Sequence, residues 1–283
     1  MQKRAIAVHD ISCVGRCSLT VALPVLSAAG LNTAVVPTAL LSTHTGEFTG
    51  YTHLDLSDQL LPIARHLHTL SLHYDTFYSG YLASGAQVDA VLTMMDLLCD
   101  EQTHLFVDPA FADQGRMYSL MGDDMPAQMR RLCARARTIV PNLTEAAFLL
   151  GDPLLCQKAD EPALDRICHE LCRLGPENVV ITDVGFLPGQ TGIAVFTRGM
   201  SKPSYLFRQR FAGVFHGTGD VFASLLLGAL MNDLPLFTAA ELALDLTHES
   251  IRLTLSQGEP LRYGVQFERV LPAYWQRLQA SFP

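Results

Sequence analysis

The sequence predicts an α/β fold: a mostly parallel sheet covered by helices on both faces, with an antiparallel hairpin at one edge. Three observations carry that prediction. Short apolar runs alternate with segments of helical periodicity along most of the chain. The runs are apolar nearly throughout, as strands buried on both faces require. Late in the chain two such runs, Ile193 to Thr197 and Ser204 to Phe207, follow one another with no helix between them and read as a hairpin.

The elements follow in order. Ala5 to His9 is a short apolar strand with a polar end, and Gly15 to Ala29 is helical with Pro24 as a potential kink. Thr33 to Leu41 is a second strand, and the polar, glycine-containing stretch Ser42 to His53 is a loop expected to border a ligand. Asp55 to Leu70 has apolar residues at three- and four-residue spacing and is helical. Phe77 to Ser79 is a strand ending at Gly80, followed by the helix Ala86 to Leu98. The strand Leu105 to Val107 ends at Asp108, and the helix Met125 to Ala136 precedes the strand Thr138 to Val140, which ends at Pro141. Helices over Thr144 to Leu150 and Pro162 to Arg173 precede the strand Asn178 to Thr182. After the hairpin come the helices Gly219 to Leu230, Thr238 to Leu255 and Phe267 to Ala280. No composition break, repeat or linker divides the 283 residues, so one domain over 1–283 is expected.

Composition narrows the function classes. Apolar residues make up 49% and charged residues 17%, which excludes a disordered chain. A formal net charge of −8 offers no electropositive face, so no nucleic-acid partner is expected. The longest apolar run, Val221 to Met231, is far short of the roughly 20 residues a membrane helix needs, so no membrane partner is expected either. The first apolar stretch, Ala5 to Val8, is broken by His9 and Asp10 and is too short for a secretion signal. Seven scattered cysteines, an odd number, read as reduced thiols, and the expected location is cytoplasmic. Cys168, His169 and Cys172 lie on a helical segment with no second pair at finger-like spacing, and read as ordinary helix residues, as do Cys13 and Cys17.

In open α/β sheets ligands bind beyond the carboxyl ends of the strands. Here those ends deliver His9 and Asp10; Ser42, Thr43, His44 and Thr45; Gly80 and Tyr81; Asp108 and Pro109; Pro141 and Asn142; Thr182 and Asp183. Singly, such residues read as caps and turns. Together they point to a site at one rim. The sharpest segment is His216-Gly217-Thr218-Gly219-Asp220, which opens the apolar helix. Two glycines flanking Thr218 allow a tight turn, and the free amides and positive dipole end of the helix make an anion site. Asp220 would repel a bound phosphate, so its presence there calls for a reason. Taking the proton from a hydroxyl during phosphoryl transfer is one. The P-loop, G-x-G-x-x-G and G-x-S-x-G motifs do not occur.

These residues carry a resemblance. Gly217-Thr218-Gly219-Asp220 resembles the helix-start signature of the ribokinase-like superfamily. Asp108-Pro109-Ala110-Phe111-Ala112-Asp113, Pro141-Asn142-Leu143-Thr144-Glu145, His44-Thr45-Gly46 and Gly80-Tyr81 resemble, in family order, segments of its vitamin B6 (pyridoxal/pyridoxamine) kinase branch. The resemblance implies a three-layer α/β/α sandwich and ATP-dependent phosphorylation of the 5′-hydroxymethyl group of a B6 vitamer. It implies Asp220 as base, with the Gly217, Thr218 and Gly219 amides as anion hole. Asp108, Asn142 and Glu145 would lie near Mg²⁺ and the ATP phosphates, with Asp108 and Glu145 toward the metal. Thr182 would lie near the nucleotide phosphates or a monovalent cation such as K⁺, and Thr45 and Tyr81 would contact the vitamer. A homodimer is implied as well.

The chain departs from the pattern in places. The serine that often bonds the pyridine nitrogen is replaced by His9 or Asp10, and either residue could make that bond. Ala112 stands for a glycine, Asp183 for a small polar residue, and Val140 where threonine is frequent. Kinases of hydroxymethylpyrimidine share the fold and the H-G-T-G stretch. They typically carry cysteine at the place of Asp220 and a glycine-rich turn where this chain reads 10–15 as Asp-Ile-Ser-Cys-Val-Gly. A sugar kinase would need a β-sheet lid for which residues 10–33 leave no room, and a non-catalytic relative would not need Asp220 and Glu145.

Overall fold

The structure is a computed structural model in which residues 2–118, 121–157 and 160–280 are described. In chain order the elements are β1 (Arg4–Val14), α1 (Leu19–Ala28), β2 (Asn32–Thr43), β3 (His53–Asp55), α2 (Ser57–Thr69), β4 (Thr76–Ser79), α3 (Gly85–Leu98) and β5 (His104–Val107). They continue with β6 (Ala112–Asp113), β7 (Arg116–Met117), α4 (Met125–Arg135), β8 (Thr138–Ile139), α5 (Leu143–Leu149), α6 (Glu161–Leu174) and β9 (Asn178–Val184). The last are β10 (Gln190–Thr197), β11 (Ser204–Gln209), α7 (Thr218–Met231), α8 (Leu236–Gln257) and α9 (Leu271–Gln279). Two compact units are discernible: Met1–Tyr78 with Thr93–Thr103 and Phe211–Pro283, and Ser79–Leu92 with His104–Arg210. Neither is a continuous stretch, so no single linker divides the chain.

In the first unit the strand order is β4-β1-β2-β3. β1 and β2 run parallel, with Ala5 opposite Thr33 and Val8 opposite Val36, while β3 adds antiparallel to β2. Every residue from Ala5 to Asp10 is buried. Successive side chains of a strand point to opposite faces, so both faces of β1 are covered. A shift in register between His9 and Ile11 lets β1 stay paired with β2 as far as Val14 and Thr43. His9 and Asp10 therefore lie inside the strand instead of beyond its end, and α1 starts at Leu19, four residues after Gly15. β2 likewise runs on to Thr43, so Ser42 belongs to the strand. Its amide and hydroxyl bond Thr52 and close the loop that follows. α1 packs on β1, β2 and α7, and α7 packs on α8. Residues 221–229 of α7 are all buried, which explains a helix that is apolar all round.

In the second unit the order is β11-β10-β9-β8-β5. β5, β8 and β9 are parallel, whereas β10 is antiparallel to both β9 and β11. This is the expected parallel sheet with an antiparallel edge. A second hairpin, β6–β7, was not expected. Its two-residue turn, Gln114-Gly115, has φ of 50° and 77°, the paired positive values of a type I′ turn. No helix among the described residues is long and apolar enough to cross a membrane. Cys168 and Cys172 are buried on the inner face of α6 as free thiols; Cys13 and Cys17 are free as well but not helical, since Cys13 lies in β1 and Cys17 ahead of α1.

Candidate active site

In the first unit β1 presents His9 and Asp10 to opposite faces, being neighbours in a strand. His9 is fully buried, with its ring edge-on to Tyr78 at a centroid distance of 4.3 Å. Burial holds its pKa down at about 3, so the imidazole is neutral at physiological pH. Neither ring nitrogen has a hydrogen-bond partner among the described residues. Asp10 is also buried, and accepts a hydrogen bond from Ser18 Oγ at 2.5 Å. Burial raises the pKa of its carboxyl, against the Ser18 donor and the charge of His53.

The turn ahead of α7 is built on Gly217, the N-cap, at φ 73° and ψ 2°. A Cβ on Gly217 would sit 1.9 Å from the Arg16 carbonyl oxygen, so only glycine permits this approach. Thr218 opens the helix, and its Oγ1 donates to Phe215 O at 3.2 Å. The first ladder bond runs from Val221 N–H to Gly217 O at 3.0 Å. The amides of Thr218, Gly219 and Asp220 therefore have no acceptor within the helix. Asp220 is half-buried in this first turn and its carboxylate accepts the Ser18 backbone N–H. Its pKa rises to about 7, first because the surrounding protein withholds water and second because Asp10 is negative; the Ser18 amide opposes the rise.

The 44–47 segment is tied to the same turn. His44 is buried, its Nδ1 accepting Gly46 N–H at 3.1 Å, so its Nε2 donates to Arg262 O at 2.6 Å. Burial lowers the His44 pKa. His216 Nε2 pairs with Glu47 Oε2 at 3.0 Å, and the His44 and His216 rings lie 4.9 Å apart. Thr45, between these anchors, is exposed.

In the second unit Asp108 is buried just past the carboxyl end of β5, its N–H on Ser79 O at 2.9 Å. Asn142 is the N-cap of α5. Its Oδ1 accepts Glu145 N–H, and Glu145 Oε2 accepts Asn142 N–H, both at 2.9 Å. Glu145 Oε1 also accepts Phe111 N–H at 3.0 Å and Ala112 N–H at 3.3 Å, while Asn142 Nδ2 donates to Ala112 O at 2.7 Å. The pair thus lashes the segment around 111–112 to α5. Burial, then the charge of Asp108, pushes the Glu145 pKa well above the carboxylate range; the three amides pull it back. Thr182 is half-buried, with its N–H on Pro141 O at 2.9 Å. Asp183 adopts φ 59° and pairs with Arg210 at 2.5 Å. Tyr81 is half-buried, 6.5 Å ring to ring from Tyr118, and Val140 is buried and offers no side-chain oxygen.

The first unit thus brings Asp10 and Asp220 together and sends His9 to the other face. Sequence reasoning missed Ser18, which touches both carboxylates; no motif marks it. It also missed the structural duty of Asn142 and Glu145, although N-x-x-E is itself a capping-box spelling.

The family model described as phosphomethylpyrimidine kinase matches residues 22–263. A Bacteroides thetaiotaomicron structure described as a phosphomethylpyrimidine kinase, in a crystal form with pyridoxal, is 33% identical with a TM-score of 0.91, covering 97% of this chain and 96% of that one. The structure of pyridoxal kinase from Lactobacillus plantarum is 31% identical with a TM-score of 0.89, covering 99% of each chain. A Caenorhabditis elegans relative described as a pyridoxal kinase is 33% identical over 128 residues, which is 44% of this chain and 38% of that protein's length.

Proposed function

The chain belongs to the phosphomethylpyrimidine kinase family, and from that premise we propose that it transfers the γ-phosphoryl group of ATP to the 5′-hydroxymethyl group of a vitamin B6 vitamer: pyridoxal, pyridoxine or pyridoxamine. The observation that carries the proposal is a carboxylate, Asp220, in the first turn of α7 directly behind a left-handed glycine whose following amides are open. Open amides and a helix N-terminus suit an anion. A carboxylate in the same turn suits a proton acceptor for an attacking hydroxyl. A pKa near 7 keeps it a competent base at neutral pH.

Each residue then has a role. Asp220 accepts the hydroxyl proton, and the amides of the 217–219 turn stabilise the transferring phosphoryl group. Asp10 is the polar partner for the vitamer ring, since His9 lies on the other face of β1. Thr45 and Tyr81 line the vitamer, and Asn142 and Thr182 serve the nucleotide. The buried carboxyl groups of Asp108 and Glu145 offer an all-oxygen donor set that fits a hard divalent cation. Among the described residues no cluster of three or more His, Cys, Asp or Glu could cage a metal, so phosphate oxygens and water would complete the shell. Both Glu145 oxygens are shared with backbone amides, so a metal contact from Glu145 would have to share them too. Bound Mg²⁺ would offset the negative charge of the phosphates. Val140 brings no side-chain oxygen, so any K⁺ would depend on Thr182 and backbone carbonyls. A cytoplasmic homodimer is the proposed setting.

The pyridoxal of the Bacteroides relative supports the B6 reading. The family's own description favours a second reading, a hydroxymethylpyrimidine kinase. Asp220→Asn tests the mechanism. With Mg²⁺, ATP and pyridoxal, its turnover should fall by roughly 10²–10⁴, the range a general base contributes, with nucleotide affinity retained. Unchanged turnover would remove Asp220 from the role.

A further inference from the structure

We propose that Ser18 is a positioning residue that fixes the two carboxylates of the first unit, its hydroxyl on Asp10 and its backbone amide on Asp220. The inference rests on Asp220 acting as the base. Three observations lead to it. Ser18 has φ 53° and ψ −128°, the conformation of the first central residue of a type II′ turn, which favours glycine. A side chain held there is strained, and such strain persists only where the surroundings over-determine it. Ser18 is also the N-cap of α1, where a serine normally accepts a hydrogen bond from the first turn; it makes no such bond. Its hydroxyl instead donates to Asp10 at 2.5 Å, from a side chain that is 6% exposed.

The surroundings do over-determine it. Thr20 Oγ1 accepts Cys17 N–H at 3.2 Å, and Ser18 O accepts the Val21 and Ala22 amides at 3.0 and 2.9 Å. On the other side Arg16 O presses on Gly217 too closely for any Cβ. Glycine would relieve the strain at Ser18, and what glycine lacks is the hydroxyl. That donor favours the ionised form of Asp10. Ionised Asp10 in turn discourages Asp220 from losing its proton too early. The titratable groups acting on the pair are His53 of β3, which acts on Asp10, and Cys17 ahead of α1, whose thiol burial keeps neutral.

The test compares Ser18→Ala and Ser18→Gly with the wild type in two measurements. Carboxyl ¹³C NMR of the ligand-free protein follows Asp220, assigned by its absence in Asp220→Asn; steady-state assays follow kcat for pyridoxal against pH. In Ser18→Ala, Asp10 keeps its proton to higher pH and presses less on Asp220, so Asp220 and the acid limb of kcat both move to lower pH. The value of kcat falls about tenfold through lost positioning. Ser18→Gly melts above Ser18→Ala yet does not regain the wild-type kcat. An Asp220 titration and kcat profile unchanged in both variants would overturn the inference and leave Ser18 a turn residue. A shifted titration in a protein that phosphorylates no vitamer would uphold the Ser18 contacts and overturn the kinase reading instead.

Discussion

At Asp220 the proposed role and the stability of the fold pull in opposite directions. Its folded pKa of about 7 lies above its ordinary 3.8, so between those values the folded chain holds more protons than the unfolded one. Stability therefore falls as pH rises through that window, and stays lowered above pH 7. An amide cannot ionise, so Asp220→Asn should melt about 2 °C or more above the wild type at pH 8, with the gap closing toward pH 4. Equal melting temperatures at pH 8 would mean that the carboxylate is well solvated. His9 works with the opposite sign. Its pKa is lowered to about 3, so its share of stability is lost as pH falls below 6.5. At this scale the sequence placed residues well where a motif spelled the position: Asp220 falls in the first turn of α7, Asn142 at the N-cap of α5 and Asp108 just past β5. It misplaced His9 and Asp10, because the strand continues through both and so points them to opposite faces. Ser18 was hidden for another reason: its importance lies in a backbone conformation that no residue type announces.

At the level of elements, α5 shows how a signature segment holds its own surroundings in place. Seven residues make a short helix, and its start is held by the reciprocal Asn142–Glu145 cap. Glu145→Ala would strip the acceptors from the amides of Asn142, Phe111 and Ala112. Each buried donor left unpaired costs about 1–3 kcal/mol, so a loss of about 3 kcal/mol or more is expected in denaturant unfolding. A loss under about 1 kcal/mol would show that water takes over these amides. The same segment explains what sequence reasoning could reach. Apolar runs marked the cores of the strands, because burial on both faces leaves a plain signal. Their ends were mismarked at β1 and β2, where pairing carries polar residues inside the strand. The β6–β7 hairpin escaped because each strand has only two residues, too few for any periodicity; only the Gln114-Gly115 turn hinted at it.

For the whole molecule, the alternation of strands and helices led directly to the α/β architecture that this chain shares with the Bacteroides and Lactobacillus structures. The partition into two units was not legible. Each unit gathers separate stretches of sequence, and contacts, not a linker, define it. The net charge of −8 acquires a local meaning, since Asp10 and Asp220 in one unit and Asp108 and Glu145 in the other are buried carboxylates or nearly so. Four such groups are unfavourable for a fold alone, and the proposed phosphoryl transfer would employ them. The central claim is the identity of the hydroxyl that is phosphorylated. It is tested most directly by measuring kcat/KM of the purified protein, with ATP and Mg²⁺, for pyridoxal, pyridoxine, pyridoxamine and hydroxymethylpyrimidine side by side. The account predicts 5′-phosphorylation of at least one B6 vitamer with kcat/KM roughly tenfold or more above that for hydroxymethylpyrimidine. A preference for hydroxymethylpyrimidine, or no phosphorylated vitamer at all, would contradict it.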